Sequence, residues 1–233
     1  MNTITRRAFV QRTALAAATF PAIARGRVLG ANEKIVAGVM GVGGRGTFLA
    51  ESFARRPDVE VAWLADADSR RLAPAGKVVE TAQKRKPQLT QDFRRILEDK
   101  GVDVLINATP DHWHGLGTIL ACQAGKDVYV EKPLAHNLWE GRKMIQAARK
   151  FQRVVQLGTQ SRSSADAAEA AEYVRSGKLG DVRLVRVFNM MPQGLMGSGP
   201  DQAPPPELDY ELWCGPAAKL PYNPRRQWLN LFE

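Results

Sequence analysis

The chain is poor in the residues that build metal centres and disulfide frameworks. Its 233 residues include two cysteines and three histidines. Cys122 and Cys214 lie far apart and match no metal-ligand spacing. They read as two small thiol-bearing hydrophobes, with a single disulfide between them as the alternative. His112 and His114 flank Trp113 near an expected helix start. Two residues apart on a helix they diverge, and no third ligand is nearby, so no metal is expected. No apolar run approaches the roughly 20 residues that a membrane-spanning helix needs. Lys and Arg outnumber Asp and Glu by 33 to 24, giving a formal charge of +9. No dense basic block with interleaved aromatics accompanies that excess, so nucleic acid is not the expected partner. At 24% charged and 44% hydrophobic, the composition is that of a globular chain with one large or two modest domains.

The first 24 residues differ from the rest. They carry Arg6, Arg7 and Arg12 and no acid, which leaves 30 basic and 24 acidic residues, a balance of +6, for the remainder. A mildly apolar, alanine-rich run from Thr13 ends in Ala22-Ile23-Ala24, small residues of the type a signal peptidase requires. The order Thr-Arg-Arg-x-Phe-Val resembles a twin-arginine export signal. Residues 1–24 are therefore expected to be a removable signal and 25–33 a linker. That implies a periplasmic or otherwise exported protein with no membrane attachment after cleavage. An amphipathic first helix of the folded domain is the alternative.

From Lys34 the text changes. An apolar run, Ile35 to Met40, leads into Gly41-x-Gly43-x-x-Gly46 and then a helical pattern with Phe48, Leu49 and Phe53. A strand before and a helix after are the context in which three glycines bind a dinucleotide. Gly41 permits the tight turn, Gly43 lets the backbone approach a pyrophosphate, and Gly46 lets helix and strand pack closely. The phosphates would rest on the helix N-terminal amides, so Gly41, Gly43, Gly44, Arg45 and Gly46 are cofactor-binding candidates. Val59 to Leu64 reads as the second strand, and Asp66 follows 20 residues beyond Gly46. An acid there accepts the ribose hydroxyls of NAD and repels a 2′-phosphate. Asp68 competes for that role but points the other way along a period-two strand. Ser69, Arg70 and Arg71 keep NADP as the alternative cofactor.

Strands and helices then alternate. A helix over "DFRRILEDKG" precedes a buried strand, Val102 to Ile106, and a helix opens near Asp111 to His114. Val128 to Val130 is the next strand. "NLWEGRKMIQAARKF" is the next helix, with Leu138, Met144 and Ile145 suited to its buried face, and "RVVQLG" gives one more strand. This alternation argues a doubly wound parallel sheet whose ligands sit at the strands' carboxyl ends. The glycine loop, Asp66, Asn107-Ala108-Thr109-Pro110 and Glu131-Lys132-Pro133 all fall at such ends.

The glycine loop, "ATPDHWH", "AGKDVYVEKPL" and "VVQLGTQSR" occur in an order that resembles the Gfo/Idh/MocA family, the glucose–fructose oxidoreductase and inositol dehydrogenase type. The resemblance covers most of the chain from Lys34 onward, and Glu-Lys-Pro after a strand is its most specific motif. It implies a Rossmann-type doubly wound domain, here 34–152, followed by an α/β domain with an open, mainly antiparallel sheet, here beginning at 153–233. It implies hydride transfer between nicotinamide and a carbon of a sugar or cyclitol, with NAD (or NADP) as cofactor, and a homo-oligomer when full length. It further implies that Lys132 hydrogen-bonds the reacting oxygen and that Glu131 orients it. Asn107, Thr109, Pro110, His114, Glu131 and Gln160 would meet the cofactor, and Lys132 and Arg162 the substrate. Pro133 ends the strand and keeps Lys132 out of helical space.

Beyond "DAAEAAEYVRSGKLG", read as a helix with a glycine stop, Val182 to Phe188 reads as a strand of the second domain. "MPQGLMGSGPDQAPPPELDY" reads as an irregular loop. Family members usually continue for about a hundred residues or more past this point. The chain is thus expected to be truncated, without the Asp/His pair whose His serves as general acid/base, and impaired in activity by itself. Two other readings stay open. One is a redox-neutral, NAD-dependent glycosidase or epimerase, and the other is a non-catalytic dinucleotide-binding protein.

Overall fold

The computed structural model describes residues 34–188 and 199–224. The expected signal and linker lie outside the described residues. The described residues belong to one compact unit. Its centre is a sheet of six parallel strands: β1 (Ile35–Met40), β2 (Val59–Ala65), β3 (Gln88–Thr90), β4 (Val104–Asn107), β5 (Asp127–Glu131) and β6 (Val155–Gly158). The spatial order is β3-β2-β1-β4-β5-β6, with every neighbouring pair parallel. The chain winds outward from β1 in one direction and then, from β4, in the other. This is the expected doubly wound fold. The sheet runs past the boundary expected at residue 152, because β6 pairs in parallel with β5, Val128 opposite Val155 and Glu131 opposite Gly158.

The helices are α1 (Gly44–Ala54), α2 (Ser69–Gln83), α3 (Arg94–Glu98), α4 (His114–Gln123), α5 (Leu138–Phe151), α6 (Ala165–Arg175) and α7 (Tyr210–Cys214). Period-two alternation along the strands feeds two separate cores. Ala37, Val39, Val61 and Ile106 pack with Leu49 and Ala50 of α1 and Leu72 and Val79 of α2. On the other face Leu105, Val128 and Val130 pack with Ile96 of α3, Cys122 of α4 and Met144 of α5. A third, smaller cluster joins Leu208, Tyr210, Trp213, Cys214 and Tyr222 to Ala67. Cys122 and Cys214 are thus buried in different clusters, and burial pushes the Cys122 thiol upward.

Three expectations need correction. Met144 of α5 is buried as expected, but Leu138 is 89% exposed and Ile145 is also exposed. The apolar stripe of α5 is narrower than its composition suggests, and Ala147 rather than Ile145 completes the inner face. Val182–Phe188 carries no strand pairing and exposes Leu184, Val187 and Phe188, because no strand among the described residues lies beside it. No strand of a second sheet occurs among the described residues. The sequence reading also passed over α2 and β3. Asp68 caps α2 by accepting a hydrogen bond from the Arg70 amide. No helix among the described residues is long and apolar enough to cross a membrane.

Truncating Met144 to Ala should cost about 2–5 kcal/mol of stability in denaturant unfolding, whereas Leu138→Ala should stay within about 0.5 kcal/mol of wild type.

Candidate functional site

β1 delivers the chain into a turn in which Gly41 takes φ +84°, a left-handed conformation that disfavours any side chain. The turn brings α1 so close to β1 that a Cβ on Gly46 would lie 1.7 Å from the Gly41 carbonyl oxygen. Gly43 caps α1 without a side-chain hydrogen bond, and no acid occupies the first turn. A Cβ on Gly44 would meet nothing within 4 Å. Gly43 and Gly44 line the adjoining cavity, so the N-terminus of α1, the positive end of the helix dipole, stands at its wall. Thr47 steadies the loop by donating from Oγ1 to the Val42 carbonyl at 2.8 Å.

Beside this loop lies a cavity of about 730 Å³. Gly41, Gly43, Gly44, Asp66, Thr109 and Pro110 line it. Asp66, at the end of β2, accepts hydrogen bonds from the Val42 amide at 2.8 Å and the Asp68 amide at 2.9 Å. Burial pushes its carboxyl above the ordinary range, against the pull of those two amides and of nearby Arg71. Asp68 points elsewhere. Burial alone would raise its carboxyl, but Arg70, at 2.8 and 2.7 Å, holds it below the usual range. Arg71 reaches over the loop, its Nη1 2.7 Å from where a Gly43 Cβ would stand.

The remaining candidates build the frame around the cavity. Asn107 is fully buried, and its Oδ1 accepts from the Thr109 hydroxyl at 2.6 Å while its amide reaches the Trp113 carbonyl at 3.3 Å. His114 is buried with Nδ1 2.5 Å from the Pro133 carbonyl and Nε2 2.9 Å from the Thr109 carbonyl. It joins the loop after β4 to the loop after β5, so its role here is anchoring and not lining. Glu131 is also buried, and one of its oxygens accepts from Arg45 Nε at 2.8 Å and Nη2 at 2.7 Å. Arg45 is therefore paired with Glu131 and is not among the cavity walls. Lys132 is exposed at the end of β5, and its peptide to Pro133 is cis. Gln160 and Arg162 lie exposed on a short 3₁₀ turn, Gln160–Ser163, outside the cavity walls.

The sequence reading missed several wall residues: Thr47, Gln91, Phe93, Leu212 and Trp213. Arg70 and Arg71, noted there only as an alternative phosphate grip, also line the cavity. Thr47 stands one residue past the last glycine and was open to recognition. The others come from distant segments and carry no local signature.

Residues 35–159 match the oxidoreductase family with an NAD-binding Rossmann fold, GFO_IDH_MocA. The chain belongs to this family. It is 37% identical over 142 residues to a glycosyl hydrolase family 109 protein of Stenotrophomonas maltophilia, covering 56% of this chain and 30% of that protein. It is 31% identical over 159 residues to the inositol 2-dehydrogenase of Rubrobacter xylanophilus, covering 67% of this chain and 44% of that one. Among solved structures it resembles GenD2 from gentamicin A biosynthesis in complex with NAD, at 26% identity and TM-score 0.56 over 62% of this chain and 40% of that chain. Levoglucosan dehydrogenase in complex with NADH superimposes at 27% identity and TM-score 0.54, over 64% of this chain and 41% of that chain. The chain spans half or less of the length of these relatives.

As a member of the GFO_IDH_MocA family, the chain carries a Rossmann fold of the type that binds NAD. The residues present fit that group. The N-terminus of α1 stands at the cavity wall with no acid in its first turn, and a half-buried carboxylate follows the next strand.

Asp66 ties stability to pH in a definite direction. Its folded-state pKa is raised, so its contribution to stability is fully present below the ordinary aspartate value of about 4 and is lost as pH rises through the folded value. Asp66→Asn removes the titrating group but leaves one of the two amide donors without an acceptor. The fall in stability that Asp66 brings as pH rises should therefore be absent from the pH profile of that variant's thermal unfolding, at a constant offset from wild type. The same variant should bind NAD about tenfold more weakly by titration calorimetry, having lost a charged acceptor for the ribose.

Proposed function

We propose that this chain carries the cofactor half of an oxidoreductase that moves a hydride between nicotinamide and a hydroxyl-bearing carbon of a sugar or cyclitol. The observation that carries the reading is the sheet edge itself. A glycine loop and an acid-terminated β2 stand on one side of the edge, and the exposed Lys132 stands at the end of β5 on the other. The named inositol and levoglucosan dehydrogenases among the relatives supply the substrate class.

When bound, NAD supplies a hydride acceptor. The chain's own residues do the rest. The amides of the Gly43–Gly46 turn hold the pyrophosphate. Asp66 holds the ribose and disfavours a 2′-phosphate, which supports NAD over NADP. Arg70 is committed to Asp68, and that reduces the positive charge available for such a phosphate. Lys132 donates a hydrogen bond to the reacting oxygen and positions the carbon. Glu131 holds Arg45 against the loop and leaves Lys132 unencumbered by an ion pair with it. The Arg6-Arg7 segment supports export through the twin-arginine route, which carries folded and cofactor-loaded proteins.

A redox-neutral glycosidase is the second reading. The relative named as a glycosyl hydrolase family 109 protein, at 37% identity, favours it.

The full-length protein that carries this chain, purified and inspected for nicotinamide absorbance, should reduce bound NAD when given a free sugar or cyclitol. Release of an aryl group from an aryl glycoside without net reduction would shift the assignment to the second reading, and no NAD binding at all would remove both. Lys132→Ala should lower turnover by about a hundredfold or more while leaving the dissociation constant for NAD unchanged. A loss of NAD binding in that variant would make Lys132 structural.

A further inference from the structure

The cavity has a wall that the cofactor motifs do not explain. Facing the glycine loop and Asp66 are Leu212 and Trp213 of α7, from a segment far along the chain. Sheet order says which end of the cleft they serve. β2 and β3 lie on one side of β1, whereas β4 and β5, with Lys132, lie on the other. Of the wall residues beside α7, Ala67, Gln91 and Phe93 follow β2 and β3, and Trp113 follows β4. This end therefore lies beside the ribose-binding acid, between the loops after β2, β3 and β4 and short of the end of β5 where Lys132 stands, and its walls are Ala67, Phe93, Trp113, Leu212 and Trp213 with Gln91 as the polar member. A flat, apolar-faced heterocycle with a few polar edge atoms suits such a lining.

The segment that supplies this wall is bound to both cofactor loops. Next to Asp66, the Asp209 amide donates to the Ala67 carbonyl at 2.9 Å and the Ser69 amide donates to the Glu207 carbonyl at 3.0 Å. Gln91 bridges the same two carbonyls from its side-chain amide. Next to Thr109-Pro110, Trp113 Nε1 donates to the Leu212 carbonyl at 3.0 Å and the Trp213 carbonyl at 3.2 Å, and the His112 ring reaches the Trp213 carbonyl at 2.9 Å. Gly215 passes so close that a Cβ there would lie 2.2 Å from the Trp113 ring. Asp209 caps α7 by accepting from the Leu212 amide, and Tyr210 stacks on Trp213 at 18° between planes. The wall is preorganised by these contacts, so closing it on a ligand requires little ordering of the chain.

We infer that residues 208–215 form a fixed clamp over the adenine end of the dinucleotide cleft, with Leu212 and Trp213 as the apolar wall for the base. This rests on the cofactor reading above and extends it to a segment outside the family-matched residues 35–159. The clamp makes adenine recognition depend on the part of the chain that follows the Rossmann sheet.

The test uses the full chain. Leu212→Ala should raise the dissociation constant for NAD by about fivefold in titration calorimetry, as removal of a partly buried aliphatic side chain implies. The constant for AMP, which carries only the adenine half, should rise by the same factor, and Leu212→Met should restore both. Independently, hydrogen exchange of wild-type amides 209–215 should slow when NAD is added. Unchanged NAD affinity in Leu212→Ala, a loss for NAD without one for AMP, or unaltered exchange at 209–215 under saturating NAD would each overturn the clamp. Absence of NAD binding in wild type would instead overturn the cofactor reading beneath it.

Discussion

The ion pair between Arg45 and Glu131 is the contact on which the candidate site depends. It joins the glycine loop after β1 to the end of β5 across 86 residues of sequence. The Glu131 side chain is almost wholly buried, and a carboxylate in that position is tolerable only if paired and hydrogen-bonded. Arg45 meets the need with two donors on one oxygen, and the Lys132 amide reaches the other oxygen at 3.3 Å. The loop that would cradle phosphates and the strand end that carries Lys132 are thereby held in one geometry. His114 adds a second tie by linking the Thr109 and Pro133 carbonyls, and Asn107 a third within the loop after β4. Buried polar groups that must all be satisfied leave few alternative arrangements, and the sheet edge is rigid for that reason.

The cleft divides by chemistry along the same edge. Near α1 it presents main-chain amides and helix dipole, suited to negative charge. At the end of β2 it presents one carboxylate, suited to hydroxyls. Beyond that it becomes apolar and aromatic. The progression follows the order phosphate, sugar, base, and each part is supplied by a different strand end. Preorganisation is greatest at the base end, where the α7 segment is hydrogen-bonded to the loops after both β2 and β4.

Much of this was legible from residues alone, and the reasons are local. Gly41 and Gly46 announce a turn and a close approach because no other residue tolerates either. Five of the six strands were legible because each contains a short apolar run bounded by loop residues, and β3, the three-residue Gln88–Thr90 with one apolar residue, was not. Inference failed where a face had to be chosen. Leu138 and Ile145 lie in an apolar-looking helix, yet Met144 and Ala147, with Ala148 and Phe151 partly buried beside them, are the α5 residues that join the core, and which side of α5 faces inward is decided by the elements it packs against. Val182–Phe188 has strand-like composition, but a strand exists only where a second one pairs with it.

By itself the sequence determined the doubly wound fold, the phosphate loop, the acid after β2 and the lysine after β5, because each is encoded within a few consecutive residues whose conformational needs are their own. Tertiary structure alone decided who pairs with whom. Arg45 was read as a cofactor contact and proved to be the partner of a buried carboxylate. His114 was open to two readings, lining the cleft or anchoring the helix, and its ring contacts make it an anchor, a strut between two loops. Leu212 and Trp213 had no assigned role and proved to be a cavity wall. These pairings arise from desolvation and hydrogen-bond satisfaction between segments far apart in the chain, and no local pattern records which distant group will arrive.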